Sequence, residues 1–180
     1  MDGITLRDGI FALNTRRFGS VAEVMIKRLT HASIARSPFH DLYDDQMDNP
    51  IEVKFSRVLE KFKVTVTEAT LLTCIEEAAT LANRMVPFTQ WDTLEFDCNI
   101  QQIKRAEFDI LYYGLFFEDC VKVFRVNKTE IASEIRYSNK QHKGNSGEGQ
   151  FHITRKILKF HLDKHLFASL SYDELHDLLK

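Results

Sequence analysis

Apolar residues recur at three- and four-residue spacing through Val21, Ala22, Met25, Ile26 and Leu29, which predicts an amphipathic helix within residues 5–31. Gly19-Ser20 interrupts or starts that helix, and Ser20 with Glu23 has capping-box spacing. Residues 33–38 read as a loop. Phe39–Tyr43 and Pro50–Val58 read as two strands joined by the polar turn DDQMDN. A second amphipathic helix is predicted in VTEATLLTCIEEAATLANRM. Thr67 is its candidate cap, and Leu71, Leu72, Ile75, Ala79 and Leu81 form its apolar faces. PFTQWDTLEFDCN is irregular, and IQQIKRAE reads as a helical turn or a strand lead-in.

The strongest hairpin pattern follows. FDILYYGLFF and VKVFRV are nearly continuous apolar runs that turn at Glu118-Asp119, which places them centrally in a sheet. KTEIASEI predicts a short helix, FHIT a short strand and RKILKFHLDKHL a helix. YDELHDLL predicts a last helix, with Ser171 and Glu174 at capping-box spacing. The order implies a single mixed α/β domain over residues 1–180, built on a central sheet.

Composition narrows the class without changing that picture. The chain has 180 residues, 44% apolar and 28% charged, so it has the length for a sizeable core. Fourteen Phe against one Trp and five Tyr indicate core filling rather than base stacking. No apolar run reaches the ~18 residues of a membrane span, and no secretory leader pattern opens the sequence, so the expected location is cytoplasmic. Cys74, Cys98 and Cys120 show no CxxC spacing and read as reduced thiols. A formal net charge of −2 argues against a basic nucleic-acid coat protein but is compatible with a DNA enzyme that offsets a basic cleft with acids.

The candidate chemistry lies in DLYDDQMDNPIEVKFSRV. Residues i and i+2 of a strand share a face, so Glu52 and Lys54 project together. If residues 39–43 and 50–58 form a hairpin, Asp41 comes beside Glu52, and the Val53 carbonyl offers one more oxygen. Phosphodiester hydrolysis needs a divalent cation, and Mg²⁺ prefers carboxylate and carbonyl oxygens while keeping several waters. A lysine offsets repulsion between the acids and can stabilise a pentavalent phosphate. Glu-x-Lys alone is uninformative, since about one is expected by chance. Its weight comes from the apolar strand, from Asp41 across the turn, from Glu23 on the preceding helix and from a basic, glycine-rich segment further along the chain.

The set Glu23, Asp41, Glu52-Val53-Lys54 resembles the PD-(D/E)xK nuclease superfamily, in particular its small type II restriction endonucleases. The resemblance spans residues 18–58 by motif and 108–126 by the expected core hairpin. The chain departs from the pattern in lacking a Pro-Asp pair, since Pro38 lies three positions before Asp41. The first ligand therefore falls on Asp41, Asp44 or Asp45, with spacing and strand context favouring Asp41. The resemblance implies a restriction-endonuclease-like mixed central β-sheet flanked by helices. It implies Mg²⁺ as cofactor, held by Asp41, Glu52 and the Val53 carbonyl, with Lys54 as the catalytic lysine. Glu23 would be an accessory acid, or else only a cap residue. The implied activity is site-specific cleavage of double-stranded DNA by a homodimer, with a DNA methyltransferase as functional partner.

RYSNKQHKGNSGEGQ supports a DNA partner. Lys140, His142 and Lys143 suit phosphates, whereas Asn139, Gln141, Asn145 and Gln150 carry amides that match base edges. Arg155, Lys156, Lys159 and Lys164 add basic capacity on the following helix. The competing expectations are a structure-selective, repair or mobile-element nuclease built on the same centre, a non-catalytic DNA-binding regulator, and a protein-interaction domain.

Overall fold

The computed structural model describes residues 1–62, 64–79, 84–139 and 147–180. It is a mixed α/β fold with a six-stranded mixed sheet flanked by helices and a separate two-stranded ribbon. Helices α1 (Gly3–Ala12) and α2 (Thr15–Thr30) lead into strands β1 (Ser33–Ile34), β2 (Leu42–Asp44) and β3 (Asn49–Arg57). Helix α3 (Leu71–Ala79) and a 3-10 turn (Phe88–Gln90) precede β4 (Asp97–Ile103), β5 (Ile110–Phe116) and β6 (Cys120–Asn127). The chain ends with α4 (Lys128–Ser133), β7 (Gly149–Thr154), α5 (Arg155–Lys164), β8 (Leu166–Ser171) and α6 (Tyr172–Leu179).

The large sheet runs β1-β2-β3-β5-β6-β8, and only the β3–β5 pair is parallel among its described ladders. The apolar runs of β5 and β6 do form the central hairpin, and every residue of β5 is buried. Alternation splits the core in two. Ile51, Val53, Ile110, Tyr112 and Phe116 pack with α1, α2 and α6. Leu111, Tyr113, Leu115, Phe124 and Val126 face the ribbon of β4 and β7 together with α4 and α5. Gly114 lets β3 and β5 close up, because a Cβ there would lie 2.2 Å from the Phe55 ring.

Several expectations are corrected. The first helical stretch is two helices, capped by Asp2 and Asn14 through their side chains. Ser20 lies inside α2, where its hydroxyl donates to the Arg16 carbonyl at 3.3 Å, so Ser20 and Glu23 are not a cap. Phe18 is buried on the same side as Ala22 and Met25, which extends the apolar stripe back past Gly19. Helix α3 starts at Leu71, later than expected, and Leu71, Leu72 and Ile75 are exposed rather than core; Leu81 lies outside the described residues. IQQI belongs to a true strand. Its three-residue spacing of isoleucines comes from a bulge at Gln102 (φ 61°), which returns Ile103 to the core face. Strand β8 was absent from the pattern. Its six residues form a half-exposed sheet edge with weak alternation. The capping boxes of α4 and α6 are formed, the latter by Ser171 and Glu174 as expected. The three cysteines are free. No helix among the described residues is long and apolar enough to cross a membrane.

Candidate functional site

The site arises where β2 leaves β3. The two strands pair through Asp44–Asn49, Tyr43–Pro50 and Leu42–Ile51, and the Asp41 N–H closes the ladder on the Ile51 carbonyl at 3.0 Å. The next β3 donor, the Val53 N–H, is taken by the Asp41 carboxylate at 2.8 Å. Asp41 thus stands where a strand partner would. A strand residue's N–H and C=O point to the same edge, so the Val53 carbonyl also faces the Asp41 side.

Glu52 and Lys54 project from one face of β3, as their i, i+2 spacing requires. The Lys54 ammonium pairs with Glu52 and lies 3.6 Å from the Asp41 carboxylate. Glu52 is 7% exposed, the one buried carboxylate among the described residues. Burial pushes its pKa up to about 7, Lys54 opposes that shift, and Asp41 and Glu107 add to it. Burial alone would depress the Lys54 ammonium, but Glu52 and Asp41 outweigh it and hold its pKa above the ordinary value. Glu23, half-buried on α2, is also raised, first by burial and then by Asp41. Lys54 therefore meets Glu52 and Asp41 directly and Glu23 through space, which gathers three carboxylates around one ammonium.

The three aspartates of the turn region separate clearly. Asp44 accepts the Gln46 and Met47 N–H groups at 3.0 and 3.1 Å and so closes the turn. Asp45 is engaged by Ser33 and Arg36. Of the three, only Asp41 meets Lys54 and Val53. Glu23 shares with Val53 and Lys54 a cleft of about 480 Å³, also lined by Arg16 on α2 and by Asn99 to Gln102 on β4.

Among the described residues, no group of three or more His, Cys, Asp or Glu side chains is arranged to hold a metal. Two carboxylates with one main-chain carbonyl are nevertheless a donor set that suits Mg²⁺, which retains waters in its remaining positions.

The expected DNA-contacting residues are scattered. Lys140, Gln141, His142, Lys143 and Asn145 lie outside the described residues. Asn139 is exposed, and Gln150 sits on β7, where its side-chain carbonyl accepts from Asn99 Nδ2 at 2.8 Å. The Arg155 guanidinium is held by Glu95 and by the Asp92 carbonyl, which commits it to the 92–95 turn. Lys159 pairs with Asp163 along α5. Sequence reasoning missed Glu107, which acts on Glu52 through space, and the amides Asn99, Gln101 and Gln102. The run IQQI carried that last signal. The chain matches no known protein-family model and no curated protein sequence.

Proposed function

We propose that the protein is a Mg²⁺-dependent endonuclease of the PD-(D/E)xK type that cleaves double-stranded DNA at a short specific site, as a type II restriction enzyme does. The observation that carries this reading is the convergence of Asp41, Glu52, Lys54 and the Val53 main chain at one open strand edge beside a cleft.

Asp41, Glu52 and the Val53 carbonyl would hold the metal. When bound, Mg²⁺ supplies Lewis-acid polarisation of the phosphate and lowers the pKa of a water. Lys54 offsets the negative charge that builds on the phosphate oxygens as the water attacks in line. Asp41, anchored by the Val53 N–H, fixes the position of one carboxylate against the strand. Glu23, reaching the cleft from α2, orients water. The products would be a 5′-phosphate and a 3′-hydroxyl. One such centre per chain calls for a homodimer to cut both strands of a symmetric site, and a restriction role calls for a host methyltransferase that protects the same site.

The test is plasmid digestion with the purified protein. Discrete bands that require Mg²⁺ and vanish in Lys54→Ala and Asp41→Ala are expected. Full cleavage by both variants would sink the assignment, and cutting that follows DNA structure rather than sequence would move the reading to a structure-selective nuclease.

A further inference from the structure

The ribbon of β4 and β7 has two unlike faces. Cys98, Ile100, Ile103, Phe151 and Ile153 point into the core. On the other face the register sets Asn99 against His152 and Gln101 against Gln150. Beside the cleft that face carries amides: Gln101 and Gln102 are exposed, and Asn99 donates to the Gln150 side chain at 2.8 Å. That bond uses a donor of Asn99 and leaves its Oδ1 acceptor buried, with no hydrogen-bond partner among the described residues. The bulge at Gln102 turns two successive glutamines toward the cleft shared with Glu23 and Lys54. Arg16 stands exposed on the opposite lip, where a phosphate would pass.

An outward strand face built only for solubility is usually charged. A row of amides beside a hydrolytic centre has a different chemical meaning. A side-chain amide offers one acceptor and one donor in a plane, which matches the N6 donor and N7 acceptor of adenine, and a two-stranded ribbon fits the major groove. We propose that the Asn99–Gln101 face of this ribbon reads adenine edges in the major groove of the DNA whose phosphate enters the Glu52–Lys54 centre. This rests on the nuclease reading, and it makes Gln101 a specificity residue and Asn99, through its bond to Gln150, a positioning residue for the same face, neither of them catalytic.

Binding selection from a randomised duplex pool, run in Ca²⁺ without cleavage, tests the assignment on wild type, Gln101→Ala and Asn99→Ala, with a parallel digest in Mg²⁺. Wild type is expected to enrich a motif containing adenine and to lose affinity when that adenine is N6-methylated. Each variant should relax discrimination at one motif position by roughly 10- to 100-fold while still cutting in Mg²⁺. Gln101 is exposed, so its variant separates reading from folding. An unchanged motif in both variants overturns the ribbon assignment and leaves the nuclease reading standing. Selective, amide-dependent binding without any cleavage upholds the ribbon and overturns the nuclease reading. Absence of DNA binding overturns both.

Discussion

Lys54 and Tyr113 face each other in register on neighbouring strands, and both carry polar groups on the same side of the sheet. Their surroundings differ. Tyr113 Oη and His161 Nδ1 are 2.7 Å apart, sealed by Phe124 stacked on the tyrosine and Phe151 stacked on the imidazole. Burial holds the His161 ring neutral, and the pair is complete in itself. Lys54 lines the cleft and pairs with buried Glu52, with Asp41 and Glu23 gathered near the same ammonium. The first arrangement is a satisfied core hydrogen bond. The second is an ion pair with two further carboxylates close by. Burial of a polar group therefore says little about function; several carboxylates gathered around one ammonium beside a cleft say more.

The largest expected effect lies in the open half. Lys54→Met keeps the length of the side chain and removes its charge. Mg²⁺-dependent cleavage should fall roughly 100- to 1,000-fold. The melting temperature should fall as well, because removing one partner of a buried ion pair leaves the Glu52 carboxylate uncompensated, at a cost of roughly 3–5 kcal/mol. Digestion rate and thermal melting measured on the same preparation check both halves of this statement. A loss of cleavage no greater than the loss of folded protein would make Lys54 structural, like Tyr113.

The two halves should also respond to pH with opposite sign. His161 falls from 6.5 to about 4 through burial, with His165 adding to the shift. The unfolded chain thus takes up a proton that the folded one refuses, and stability drops as pH falls from 6.5 toward 4, by on the order of 3 kcal/mol. Glu52 rises from 4.5 to about 7, so its contribution is lost as pH rises through that window. Urea unfolding across pH 4 to 7 should show a shallower acid loss in His161→Leu and a shallower loss toward neutrality in Glu52→Gln. Parallel curves for wild type and both variants would refute the contrast.

Tyr113→Phe probes the closed half alone. It leaves His161 Nδ1 buried without its partner, at a cost of roughly 1–3 kcal/mol. Cleavage per folded molecule should stay at the wild-type level, measured by active-site titration alongside chemical denaturation. A loss of activity beyond the loss of folded protein would join the two clusters into one site.

How far this contrast could be read from the sequence varies by element. The β5–β6 hairpin was legible, because two apolar runs around Glu118-Asp119 have few other ways to be buried. Asp41, Glu52 and Lys54 were legible as a group because the turn between β2 and β3 fixes the register that unites them. Glu107 was not, since it acts on Glu52 through space rather than by spacing. The ribbon amides were hidden by the Gln102 bulge, which breaks the two-residue alternation and imitates a helical one. The exposed face of α3 was misread because periodicity reports an apolar stripe without saying what covers it.

The smallest effect concerns where α2 begins, and through it the role of Glu23. Sequence spacing points to Ser20, the structure starts the helix after Asn14, and only one can supply the cap. Asn14 Oδ1 accepts the Arg17 N–H at 3.1 Å, whereas the Ser20 hydroxyl turns back to the Arg16 carbonyl within the running helix. Asn14→Ala should cost about 1 kcal/mol, and Ser20→Ala no more than a few tenths. Chemical denaturation of the two variants under one buffer decides between them. Equal losses would restore Ser20 as a cap and return Glu23 to a capping role. The expected inequality leaves the Glu23 carboxylate free of the helix terminus, in the cleft with Lys54.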